Sequence, residues 1–99
     1  MSKASVNYEE GLLQDLKDPE EAAAYLSAAL EEDSQEAFLL ALRDVAAAHG
    51  LAQLARETSL NRENLYRMLS QKGNPQLLSL TLLLDALGLR LSVQPKRAA

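Results

Sequence analysis

The chain has 99 residues, enough for one domain with a core and too few for two. It holds no cysteine, which excludes disulfides, thiolate metal sites and thiol chemistry, and no apolar run long enough to span a membrane. Its net charge of −4 is unevenly placed: residues 1–50 carry 3 Lys and Arg against 11 Asp and Glu (−8), and residues 51–99 carry 7 against 3 (+4). That split points to two partners of opposite charge, the alternative being chance clustering on solvated faces.

Abundant leucine and alanine, with aromatics at only 4%, predict a small all-α domain. Residues 1–11 are polar, without helical periodicity and without an apolar signal segment, so a disordered tail and a cytoplasmic location are expected. A first helix is predicted over 18–31. Asp18 caps it, Pro19 takes its first position, and Ala22, Tyr25, Leu26, Ala29 and Leu30 form its apolar face. A second is predicted over 34–49, capped by Asp33 or Ser34 and ended by Gly50. Its apolar face runs through Phe38, Leu42, Val45 and His49, with Phe38 expected to anchor the core and His49 to be structural rather than a ligand. Short helices follow over 51–57 and 61–72, the latter capped by Asn61 and stopped by Gly73-Asn74-Pro75. The fifth helix, 76–87, is apolar almost all round and is expected to be the central, most buried one. After Gly88, Leu89, Leu91 and Val93 alternate with Arg90, Ser92 and Gln94, a period of two that predicts a strand over 89–94. A lone strand lacks a partner in its own chain. Either a second copy pairs with it across a two-fold axis through Leu89, Leu91 and Val93, or the segment lies extended on the core. The domain is thus bounded at 12–94, with a tail at 95–99.

Residues 51–70, "LAQLARETSLNRENLYRMLS", fit a helix-turn-helix. Ala55 is small where the two helices approach, Leu60 plugs the corner, Leu65 and Met68 fix the second helix, and Leu54 anchors the first. Ser59 stands where such turns usually have glycine, and it is strained there if the turn needs a positive φ. With Leu65, Met68 and Leu69 inward, Arg62, Glu63, Tyr66, Arg67 and Ser70 form the open face. Arg donates two hydrogen bonds to guanine, Glu accepts from cytosine, and tyrosine packs on a thymine methyl or bonds a phosphate. Gln53, Arg56 and Lys72 suit phosphate contacts. Each has a plainer alternative: a solvated face for the arginines, partial burial for Tyr66, and an i,i+4 pair between Glu63 and Arg67. One histidine, no glycine-rich phosphate loop and no His/carboxylate cluster at metal spacing leave no enzymatic, metal or cofactor reading.

The run "LARETSLNRENLYRMLSQKGNPQLLSLTLLLDALGLRLSV" resembles the Cro/lambda-repressor-like helix-turn-helix domain as found in HigA-like addiction-module antidote proteins. The likeness extends over about residues 12–94. It implies a five-helix domain with a C-terminal dimerisation strand. It also implies a type II antitoxin that neutralises a small basic toxin of the RelE/HigB-like class and, as a homodimer, binds operator DNA and represses its own operon. By position, Arg62, Glu63, Tyr66 and Arg67 fall on the DNA-reading face. Leu51-Ala52 departs from the polar helix start common in that superfamily, which shifts phosphate contact there to backbone amides. A stand-alone phage-type repressor and an interaction module without DNA binding are the competing readings.

Overall fold

Short polar side chains cap the starts of three of the helices. The computed structural model describes residues 10–70 and 72–96 and contains α1 (10–15), α2 (Pro19–Leu30), α3 (Gln35–His49), α4 (Leu51–Thr58), α5 (Arg62–Met68) and α6 (Leu77–Ala86). Asp18 accepts a hydrogen bond from the Glu20 N–H ahead of α2, with Pro19 at the first helical position. Ser34, rather than Asp33, caps α3 by accepting from the Ala37 N–H. Asn61 caps α5 by accepting from the Asn64 N–H at 2.8 Å. Each side-chain oxygen satisfies an amide that the first helical turn leaves without a carbonyl. The five predicted helices are present, and α1 is an additional turn that periodicity did not reveal. Residues 1–9 and 97–99 of the expected tails lie outside the described residues.

Helix α2 packs on α3, α3 on α4, and α4 on both α5 and α6. Gly50, at φ 106°, ends α3 and begins α4, so a single residue turns the chain by 94°. That backbone conformation is open to glycine and strained for a side chain. Leu39, Leu42 and Val45 of α3, Leu54 of α4, Leu65 of α5 and Leu83 of α6 are the largest fully buried side chains. Leu16, just past α1, joins the same core. Tyr25 Oη donates to Asp44 Oδ2 at 2.6 Å, fastening α2 to α3. Among the described residues, no single helix is long and apolar enough to cross a membrane.

Four expectations are corrected. Phe38 is only half-buried and packs against the core cluster from outside, while Leu42 and Val45 of the same helix are the fully buried members of that cluster. Helix α5 ends at Met68 rather than at 72. Arg43 Nε donates to the Leu69 carbonyl at 3.0 Å, and Ser70 Oγ takes the Arg67 carbonyl at 2.9 Å, so the chain leaves the helix before the Gly-Asn-Pro stop. Helix α6 is not the central helix. Leu83 and Leu84, late in the helix, are buried, while Leu77 and Leu78 at its start are 69% and 72% exposed. Finally, no strand forms among the described residues, so the predicted one at 89–94 is absent. Leu89 donates its N–H back to the Leu84 carbonyl at 2.8 Å and packs on the core, whereas Leu91 and Val93 stay exposed. Period-two alternation makes a strand only when a neighbouring backbone completes the ladder, and this chain offers none.

Gly73 is required for space. A Cβ there would overlap the Met68 carbonyl oxygen and lie 2.9 Å from that of Arg67. Gly73→Ala is therefore expected to lower unfolding free energy in urea by about 2 kcal/mol or more. Gly11→Ala, whose Cβ meets nothing within 4 Å on helical α1, should instead raise it by roughly 0.5–1 kcal/mol.

Candidate nucleic-acid interface

The α4–turn–α5 unit is built from its buried side outward. Leu54 and Leu65 are fully buried, Met68 and Leu69 nearly so, and Ala55 and Leu60 pack partly buried against the same cluster. These are the residues the sequence pattern assigned to the inner side. The turn is residues 59–61, and Thr58 organises it. Its buried hydroxyl donates to the Leu54 carbonyl at 2.8 Å and accepts from the Leu60 N–H at 3.3 Å. The helix expected over 51–57 left Thr58 outside it. A Thr at a helix end followed by an apolar corner residue was the available signal. Ser59 does adopt the left-handed conformation, at φ 62° and ψ 16°.

With that side fixed, Arg62, Glu63, Tyr66 and Arg67 all face solvent on α5, and Tyr66 is 52% exposed rather than tucked against a neighbour. Glu63 and Arg67 form no ion pair. Arg67 Nη1 instead approaches Asn64 Oδ1 at 3.5 Å, a weak contact that leaves most guanidinium donors open. On α4, Arg56 is exposed, and the Gln53 amide N–H donates to Glu57 Oε2 at 3.0 Å. Lys72 is exposed. Ser70 lies past the end of the helix with its hydroxyl donating to Arg67, so it belongs to the turn after α5 and not to the outward face of the helix.

A groove between the end of α5 and the start of α6 gathers Arg67, Ser70 and Lys72 with Asn64, Asn74 and Gln76. The last three were not singled out from the sequence: Asn64 reads as an ordinary helical polar residue and Asn74 as part of a helix stop. The far wall is held in place by Gln35, whose Nε2 donates to the Gly73 carbonyl at 2.8 Å. The groove thus brings two cationic side chains together with amide side chains, a donor set suited to an anionic backbone. Gln53, Arg56, Arg62, Glu63 and Tyr66 lie outside this groove. Among the described residues, no three His, Cys, Asp or Glu side chains come together to hold a metal ion.

Residues 9–95 match a protein family described as "Probable addiction module antidote protein". The chain belongs to this antidote family. A Haemophilus influenzae (strain Rd) protein, described as uncharacterized, is 40% identical to the antidote-family chain over 84 residues, which span 85% of this chain and 87% of that one. No solved structure matches significantly.

Behind the candidate face of this antidote-family chain, His49 Nε2 lies 2.7 Å from Glu57 Oε1, tying the end of α3 to α4. The hydrogen bond from His49, then that from Gln53, holds the Glu57 carboxyl below its ordinary value. A carboxyl lowered on folding adds stability above its unfolded pKa and loses it as pH falls through the folded one. The melting-temperature difference between the wild type and Glu57→Gln should therefore be present at neutral pH and fade below the ordinary carboxylate range; scanning calorimetry across pH checks this. The same turn yields a second expectation. Ser59→Gly relieves the left-handed strain and should stabilise the fold by roughly 0.5–1 kcal/mol in urea titration.

Proposed function

We propose that the chain is a DNA-binding antitoxin of a type II toxin–antitoxin module, which neutralises a small basic toxin of the RelE/HigB-like class and represses its own operon as a homodimer. The observation that carries the DNA half is the α4–turn–α5 unit. Its apolar residues are all spent inward, while Arg62, Tyr66 and Arg67 stand exposed on the outward side of α5 with no ion pair among the described residues. In this reading the unit is a Cro/lambda-repressor-like helix-turn-helix with α5 in the major groove. Arg62, Glu63, Tyr66 and Arg67 face base edges, and Gln53, Arg56, Ser70 and Lys72 approach phosphates, with Asn64, Asn74 and Gln76 as added contacts beside Lys72. Exposed, unpaired arginines are what such a face requires, because each phosphate contact draws its free energy from displaced counterions.

The toxin half rests on family membership and on charge. Glu20, Glu21, Glu31, Glu32 and Glu36 are all exposed on or near α2 and the start of α3, and none is neutralised by an ion pair among the described residues. A cationic partner gains encounter rate and orientation from such a surface. Of the residues expected to pair two copies, Leu91 and Val93 are exposed and available, whereas Leu89 is engaged with the core. Binding, not bond-making, is the activity in this reading.

Fluorescence anisotropy against the DNA upstream of the gene provides the test. Arg67→Ala should weaken operator binding by about 1–3 kcal/mol if the side chain reads a base. The wild type should recognise half-sites about one helical turn apart. Absence of saturable, salt-dependent binding by the wild type would overturn the DNA reading.

A further inference from the structure

A second groove, of about 150 Å³, opens between α2, the start of α3, the end of α6 and the extended segment after Gly88. Leu26 and Leu84 line it and are buried, so its inner part is continuous with the core. Leu30 on α2 also lines it and is 60% exposed, and Phe38 adds a half-buried aromatic wall. An apolar space of about this volume takes a benzene molecule. It therefore holds one leucine or phenylalanine side chain, and it is too small for a drug-sized ligand or cofactor, whose sites begin near roughly 300 Å³. The surroundings are acidic on the α2 side. From Asp18 to Leu42 the sequence holds seven Asp and Glu and no Lys or Arg. At 100° per residue, Glu20 and Glu31 fall next to Ala23 and Ser27, which line the groove. Glu32 and Asp33 follow in the turn after Leu30. All four acids are exposed, and none has an ion pair among the described residues. Arg90 is the one charge in the lining, on the opposite wall, and it too is exposed without an ion pair.

We propose that this groove is where the basic partner anchors: it takes a single leucine- or phenylalanine-sized side chain from a protein segment whose flank toward Glu20 and Glu31 carries lysine or arginine. The inference rests on the antitoxin reading for the partner, and it adds where that partner docks and by what chemistry. Charge selects the occupant. A nucleic acid or an anionic membrane meets carboxylates on the α2 side, and a copy of the same surface sets acid against acid. A small apolar molecule fills the volume but gains nothing from the acids around it. A basic segment with one apolar anchor uses both parts: the anchor displaces water from Leu26, Leu30, Phe38 and Leu84, and its cations face the acids. Arg90 then sets direction. Its guanidinium only donates, so the other flank of the segment supplies a carbonyl or carboxylate there. An apolar side chain seated in a small pocket and ringed by polar groups is the arrangement in which a few residues carry most of an interface's affinity. The groove shares no residue with the α4–turn–α5 unit, so the two working surfaces are separate.

Surface plasmon resonance with the full chain tests it, the probe being the small basic protein encoded by the gene next to this chain's own. Leu30→Asp should raise Kd about 100-fold or more, because it sets a carboxylate against the apolar anchor, while circular dichroism stays helical. Ser27→Trp fills the groove from an exposed helical position without adding charge, and it should weaken binding by about 100-fold as well. Glu20→Lys combined with Glu31→Lys should slow association about tenfold at low salt and change dissociation less. Leu77→Asp, an exposed leucine on α6 outside the groove, should leave Kd within about threefold. The outcomes separate the two readings. A wild-type complex that either Leu30→Asp or Ser27→Trp leaves within about threefold overturns the groove and leaves the antitoxin reading standing. So does a loss at Leu77→Asp as large as that at Leu30→Asp. No complex with the wild type overturns both.

Discussion

The burial of Leu54 and Leu65 is the constraint on which the working surface depends. Both are sealed from solvent in one cluster with Leu42, Val45 and Leu83, so α4 and α5 are held to the core and to each other by their inner sides. The outward side chains of α5 are then positioned from beneath, with only the weak approach of Arg67 to Asn64 among themselves. The turn between them adds direction to that grip. Thr58 satisfies a carbonyl behind it and an amide ahead of it with one hydroxyl, and a buried polar group so engaged resists rearrangement because breaking either bond leaves an unpaired group in the core. At the other end of α5, Arg43 and Gln35 reach across from α3 to the carbonyls of Leu69 and Gly73. The polar groove beside Lys72 is therefore a tertiary construction, walled by bonds from a helix more than thirty positions upstream at Gln35.

Local chemistry made part of this fold legible in advance. Asp18, Ser34 and Asn61 were readable as caps because a cap acts on amides two or three residues away, and the inward set of α5 was readable because its spacing is that of one helix face. The expectation of strain at Ser59 was legible for the same reason: a turn of fixed shape fixes φ at one place. What failed was everything decided at a distance. The end of α5 at Met68 depends on Arg43 and Ser70 claiming carbonyls, which no window around residue 70 shows. The strand expected at 89–94 had the correct alternation but no second backbone. Asn64, Asn74 and Gln76 carried no periodic pattern, and only the meeting of α5 with α6 brings them beside Arg67.

The misjudged burial of α6 is the most informative of these. Hydrophobicity on every side of a helix states that both sides avoid water, and it does not state what excludes the water. Leu83 and Leu84 meet the chain's own core, while Leu77 and Leu78 do not. Composition alone therefore did not fix the layer, and reading it as burial within the chain's own core misplaced the helix. The net charge has the same limit: −4 is the sum of −8 in the first half and +4 in the second, and it hides both.

Gly50 turns α3 into α4 with no residue to spare, and only residues 59–61 separate α4 from α5. Helices joined by such short connections meet without closing a long loop, so little chain entropy is lost before their contacts form. The sequence separation across this part of the core is small, which places it among low-contact-order architectures that assemble in microseconds to milliseconds. The corner at Gly50 thereby bears on rate as well as shape: α3, α4 and α5 can meet through short connections, and the bonds of Arg43 and Gln35 then close the wall beside α5 from further upstream.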